Sequence, residues 1–207
     1  MKRAVMLTAI LMSAVLMSSG VYAADKIYNF EGGVKTRAEQ GLSESQIAPT
    51  YPDNWFSTWT YTFILVLDDG GSATIQFTYW KAYLVKRWGV NVSFIDKGED
   101  QVINNQVFKE DSVEYDNDAN RFQAGPHYWE GEYPEYRVHL DIPARGGKPA
   151  MKGDIKLRSL VKGWRPGKGP VHYGAPDGPW YDLVVPVPWA DLSGSLHING
   201  KKHELKG

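Results

Sequence analysis

The chain has 207 residues, 23 Lys and Arg against 24 Asp and Glu, a formal net charge of −1 and no cysteine. Thiol catalysis, cysteine-ligated metals and disulfide staples are therefore excluded, and the charge balance shows no nucleic-acid footprint. Its 8 Trp, 12 Tyr and 7 Phe, punctuated by 21 Gly and 12 Pro, favour an all-β chain stabilised by burial in an aromatic core.

Met1 to Ala23 reads as a cleavable secretory signal. Lys2 and Arg3 precede the apolar run Ala4 to Leu16, and small residues lead to Val21-Tyr22-Ala23, the order of n-region, h-region and cleavage site. Thr8, Ser13, Ser18, Ser19 and Gly20 interrupt the run, leaving it short of the ~20 clean apolar residues of a membrane anchor. Cleavage after Ala23 leaves 184 residues and, with Lys2 and Arg3 removed, a net charge of −3. That length suits one domain with a substantial core. The expected address is export, to the periplasm in a bacterium and otherwise to the outside of the cell.

Residues 24–54 form a polar N-terminal arm with Pro49 and Pro52, a short helix around Thr36 to Gln40, and a position partly closing one end of a barrel. Residues 55–207 form a single β domain. Its first strand is Trp59 to Leu67, with Trp59, Tyr61, Phe63, Leu65 and Leu67 on one face. Asp68-Asp69-Gly70-Gly71 turns the chain into Ser72 to Val85, where Ala73, Ile75, Phe77 and Tyr79 alternate with polar residues.

Further alternation predicts strands at Trp88 to Phe94, Tyr136 to Ile142 and Ile155 to Leu157. The acidic stretch from Lys97 to Gly131 reads as a hairpin connection with short strands around Ser112 to Tyr115 and at Phe122. Trp180 to Val187 and Gly194 to Ile198 read as strands, and Asn199-Gly200 is a type I′ signal leading into Lys201 to Leu205. Many consecutive antiparallel strands favour a lipocalin-like (calycin-type) β-barrel over a strongly bent sandwich, because closure removes the sheet edges.

Catalytic motifs are sparse. His127, His139, His172, His197 and His203 lack metal-site spacing, so no metal or cofactor is expected. Gly163 to Gly169 lacks the gap and the Ser or Thr of a phosphate loop, and Asp191-Leu192-Ser193-Gly194 lacks the first glycine of a nucleophile elbow. The pairs Glu99-Asp100, Glu110-Asp111 and Glu130-Gly131-Glu132 read as solvated loop charge. Asn91-Val92-Ser93 matches a glycosylation sequon inside a predicted strand.

The aromatic residues remain. Trp55, Trp59, Tyr61, Phe77, Tyr79, Tyr173 and Trp180 are the candidate ligand-binding residues, with Trp80 and Tyr181 beside them. They either line a cavity for an extended apolar molecule or pack as a plain aromatic core.

The segments Asp53-Asn54-Trp55, Ser57 to Phe63, Asp68 to Gly71 and Ile75-Gln76-Phe77, with Trp180 to Pro188 and Ala190 to Leu196 near the end, resemble a lipocalin-like superfamily. It contains survival-factor proteins, carotenoid hydratases of the hydroxyneurosporene synthase type, tocopherol cyclase and AttH-like proteins. The resemblance runs from about Asp53 to Gly207, is strongest at its two ends and corresponds to the first barrel of the family. Relatives usually continue into a second barrel, with ligand or substrate near the junction, whereas this sequence stops at Gly207. It is therefore expected to be either a fragment or a one-barrel binding variant, with no family catalytic residue to inherit.

Three functions follow as expectations. The first is binding of a lipid, isoprenoid or other apolar small molecule, with the protein working near a membrane surface and without nucleic acid. The second is hydration or cyclisation of a carotenoid-like isoprenoid, which needs a buried acid, for which Asp182 and Glu130 are the candidates, and aromatic walls facing developing cationic charge. The third is a structural or interaction module with a filled core.

Overall fold

The computed structural model describes residues 27–28, 39–40, 42, 44–49, 51, 54–165 and 170–207. The signal-peptide reading of Met1 to Ala23, Asp53 of the family resemblance, and residues 166–169 of the glycine-rich loop lie outside them. In chain order the elements are β1 (Ile27–Tyr28), β2 (Glu39–Gln40), the helical turn α1 (Glu44–Ile47), β3 (Phe56–Val66), β4 (Ser72–Ala82), β5 (Val85–Ile95) and β6 (Val102–Phe108). There follow β7 (Val113–Asp116), β8 (Arg121–Ala124), β9 (His127–Glu132), β10 (Glu135–Ile142) and β11 (Met151–Ser159). Last come β12 (Trp164–Arg165), β13 (Val171–Tyr173), β14 (Trp180–Tyr181), β15 (Ala190–Ile198) and β16 (Lys201–Lys206). The chain is all-β with antiparallel pairing, as its alternation predicts.

The described residues fall into two compact units, one within residues 40–164 and 185–207, the other of residues 27–28, 39, 165 and 170–184. In the larger unit β3-β4-β5-β6 make a four-stranded sheet and β16-β15-β11-β10-β9-β8-β7 a seven-stranded one. Neither sheet closes on itself, so a closed barrel is not what the backbone pairing forms. Consecutive strands are neighbours throughout both sheets except at β11-β15. At one corner the Asp68 N–H donates to the Lys206 carbonyl at 2.8 Å, tying the end of β3 to the end of β16.

The inward rows of both sheets feed one core. Ile75, Phe77, Val90 and Val92 come from the first sheet, and Phe122, Val138, Leu140, Ile155 and Leu196 from the second, all essentially inaccessible to solvent. Three buried polar contacts bind the sheets on the side away from the Asp68 corner. Asn104 Nδ2 donates to the carbonyls of Pro143 (3.1 Å) and Pro149 (2.6 Å), and His127 Nε2 lies 3.0 Å from Gln106 Oε1.

Several boundaries differ from the sequence expectation for identifiable reasons. The first strand starts at Phe56, three residues early, and the second stops at Ala82, where Tyr83 enters the left-handed region (φ 55) without a Gly or Asn signal. In the stretch from Lys97 to Gly131 the short strands expected around Ser112 to Tyr115 and at Phe122 are β7 and β8, and β6 and most of β9 are additional to them. In β6 the inward positions carry Asn104 and Gln106, which breaks the apolar alternation that would have revealed the strand. Trp180 to Val187 is strand at Trp180–Tyr181 alone, because Pro186 and Pro188 cannot donate to a ladder. Of Thr36 to Gln40, expected as a short helix, the described residues Glu39–Gln40 are extended, and the helical turn falls at Glu44–Ile47.

The terminal hairpin has the expected geometry, with Asn199 (φ 48) and Gly200 (φ 84) both left-handed as a type I′ turn requires. In the smaller unit β1-β13-β14 form a three-stranded antiparallel sheet, and Arg165 pairs with Asp182 at 2.6 Å.

Candidate functional site

Alternation along β3 sends Ser57, Trp59, Tyr61, Phe63 and Leu65 inward and leaves Phe56, Thr58, Thr60, Thr62, Ile64 and Val66 outside. Full-length pairing with β4 sets Trp59 opposite Tyr79, Tyr61 opposite Phe77 and Phe63 opposite Ile75. The inner wall of this sheet is thus a double row of rings. Phe122 of β8 and Trp129 of β9 face it from the second sheet, since their strands alternate in the same way.

Tyr61 is the centre of the cluster. Its ring lies 4.0 Å from that of Trp59, 4.4 Å from Trp129 and 5.9 Å from Phe122, centroid to centroid, all in edge-to-face geometry. Its hydroxyl donates to the Ile47 carbonyl at the end of α1. Burial pushes the Tyr61 phenol far above its ordinary range, so it acts as a neutral hydrogen-bond donor. Tyr51 adds a ring over the same end of the wall, 5.8 Å from Trp59 and 5.0 Å from Tyr79.

The two rows differ in access. Ala73, Ile75, Phe77 and Tyr79 on β4 are sealed, whereas Trp59, Tyr61 and Phe63 on β3 are only partly buried. The physical reason is position: β3 is the outer strand of its sheet, and its backbone meets β16 only near the Asp68 corner. The inner aromatic wall is therefore less completely covered along its β3 side. Trp129 Nε1, buried on the facing sheet, has no hydrogen-bond acceptor among the described residues.

Four of the seven sequence candidates, Trp59, Tyr61, Phe77 and Tyr79, come together in this wall. Trp55 does not join them: it is 77 % exposed and packs edge-on against Tyr83, 5.5 Å away. Tyr173 and Trp180 belong to the smaller unit, where Tyr173 stacks with Tyr181. Phe63, Phe122 and Trp129 were missing from the sequence list. Phe122 and Trp129 sit two residues from Ala124 and His127 respectively, and that alternation between the turns at Asp116–Asn120 and Gly125-Pro126 was the available signal.

The two candidate acids are engaged elsewhere. Glu130 points away from the inner wall and pairs with Arg121 at 3.3 Å, and Asp182 pairs with Arg165 in the other unit. Among the described residues no Asp or Glu is buried, and no group of three or more His, Asp and Glu is placed to hold a metal ion. Among the described residues the buried basic side chains are Lys81 and His127. His127 Nδ1 accepts the Asp141 backbone N–H at 3.0 Å, which leaves its Nε2–H to donate to Gln106 and makes the imidazole a neutral strut.

No family model, curated protein or solved structure matches this chain.

Proposed function

We propose that this chain is a binding protein for a lipid, an isoprenoid or a similar apolar small molecule, held against the inner aromatic wall of β3 and β4. The observation that carries the reading is the partly exposed row Trp59, Tyr61 and Phe63 beside a row that is sealed. A core whose purpose is packing alone gains by burying such rings completely, at roughly 25 cal/mol per Å². An apolar ligand lying along the row would complete that burial.

The finer architecture belongs to the same proposal. Near-consecutive strand order and the Asp68–Lys206 hydrogen bond between the outer strands support reading the two sheets as a calycin-type barrel opened along one seam. The likeness to survival-factor proteins and their relatives rests on the sequence motifs already quoted, as does export through Met1 to Ala23. An apolar ligand in an exported carrier fits work close to a membrane surface.

The test is extraction of gently purified full chain with organic solvent, followed by mass spectrometry, together with titration of a fluorescent polyene fatty acid. Enrichment of an apolar species, and probe uptake that weakens about ten-fold in Trp59→Leu, are expected. Absence of both enrichment and uptake defeats the proposal and leaves a structural module. That second reading is favoured by the ring contacts filling the space around Phe77 and Tyr79.

A further inference from the structure

The β4-β5 hairpin ends in a concentrated apolar apex. Ala82 pairs with Val85, so Tyr83 and Leu84 form the loop, with Leu84 98 % exposed. Phe56 pairs with Ala82 across the neighbouring strand, and the Tyr83 N–H donates to the Trp55 carbonyl at 2.7 Å, which holds Trp55 at the same apex. With Trp80 and Val85, six large apolar side chains project into solvent at one end of the sheet. Isolated exposed apolar residues need no explanation, but a contiguous group of this size marks an interaction surface.

The exposed charges nearest the apex along the hairpin are cationic. Residues 72–95 contain Lys81, Lys86 and Arg87 and no Asp or Glu, and β3 carries no charge at all. Lys86 and Arg87 follow the apex on β5, with Arg87 opposite the exposed Trp80, while Lys81 is buried on the inner face of β4. The acids of the turns, Asp68, Asp69, Asp96, Glu99 and Asp100, sit at the opposite end of the sheet, and Lys109, Glu110 and Asp111 follow β6 on the β5 side of the apex end.

We infer that the Tyr83-Leu84 apex inserts into the interface of an anionic lipid bilayer while Lys86 and Arg87 contact its phosphates. Leu84 and Phe56 reach the acyl region, and Trp55, Trp80 and Tyr83 take the headgroup level where amphipathic rings are favoured. Lys86 and Arg87, one step behind the apolar tip, lie at the depth of the negative surface charge. This surface lies outside the inner wall, so the inference stands whether or not that wall takes a ligand.

The absence of cysteine permits a direct test on the full chain. A single environment-sensitive label at Leu84→Cys is expected to shift to the blue when vesicles of phosphatidylcholine with roughly one third phosphatidylglycerol are added. The same label at Ile103→Cys, on the outward face of β6, is expected not to shift. Flotation with these vesicles should weaken about twenty-fold in Lys86→Gln/Arg87→Gln and be lost in Tyr83→Ser/Leu84→Ser, with unchanged thermal unfolding. No flotation of the unaltered chain, equal flotation of the Tyr83→Ser/Leu84→Ser variant, or a Leu84 label that shifts on self-association without vesicles would each overturn the inference.

Discussion

His127 of β9, inaccessible to solvent, and Gln106 of β6 meet 3.0 Å apart between the two sheets, and the His127 Nε2–H has Gln106 Oε1 as its partner. Burial holds the His127 imidazole down at about 4, with the Asp141 carboxylate opposing that shift. The unfolded chain takes up this proton near pH 6.5 and the folded chain does not, so protonation favours unfolding. Stability from His127 is therefore complete above about pH 6.5 and is lost as pH falls toward about 4, by about 3 kcal/mol at most. Urea midpoints measured across that window should decline in the native chain, and the decline should be shallower in His127→Gln, which starts from a lower stability at neutral pH.

Asn104 is a second polar strut, fully buried, with its amide NH₂ shared between two proline carbonyls of the loop from β10 to β11 and its Oδ1 accepting the Asn105 N–H. Asn104→Ala removes both of these donors and the Oδ1 acceptor from a fully buried position and is expected to cost about 1–3 kcal/mol. Asn104→Asp should be worse, because a carboxylate facing carbonyl oxygens repels where the amide donates. Chemical denaturation of the two variants ranks them.

Gly194 interrupts β15 at φ 139, and a Cβ there would lie 2.2 Å from the Asp154 carbonyl of β11. Both the dihedral and the contact exclude a side chain. Gly194→Ala should lower stability by more than about 2 kcal/mol, whereas Ser193→Ala, one residue earlier and exposed, should stay within about 0.5 kcal/mol of the native chain. Equal thermal midpoints for the two would contradict the close approach.

The aromatic wall should separate packing from binding. Phe77 is inaccessible and touches the rings of Phe63 and Phe122, so Phe77→Ala is expected to cost about 3–5 kcal/mol. Phe63 is partly open, so Phe63→Ala should cost clearly less in denaturant while reducing polyene uptake more than its stability loss explains. Parallel unfolding and probe titrations distinguish the two outcomes.

Legibility from sequence followed the range of the interaction. The β3-β4 hairpin and the terminal hairpin were readable because alternation, Asp68 to Gly71 and Asn199-Gly200 all lie within a few residues of the pairs they set. β6 was not, since its inward Asn104 and Gln106 look like loop residues until Pro143, Pro149 and His127 supply their partners from more than twenty residues away. Trp55 shows the reverse error. It is aromatic and precedes a strand of inward rings, yet it sits beyond the end of that strand and turns outward to Tyr83.

An all-β, antiparallel, aromatic-cored chain without thiol chemistry was thus determined by the sequence itself, because composition and period-two patterning act locally. Which rings seal and which stay open was decided by tertiary structure. The same alternation runs through β3 and β4, but β4 has a strand on each side whereas β3 stands at the margin of its sheet, and only the assembled sheet distinguishes an inner strand from an outer one.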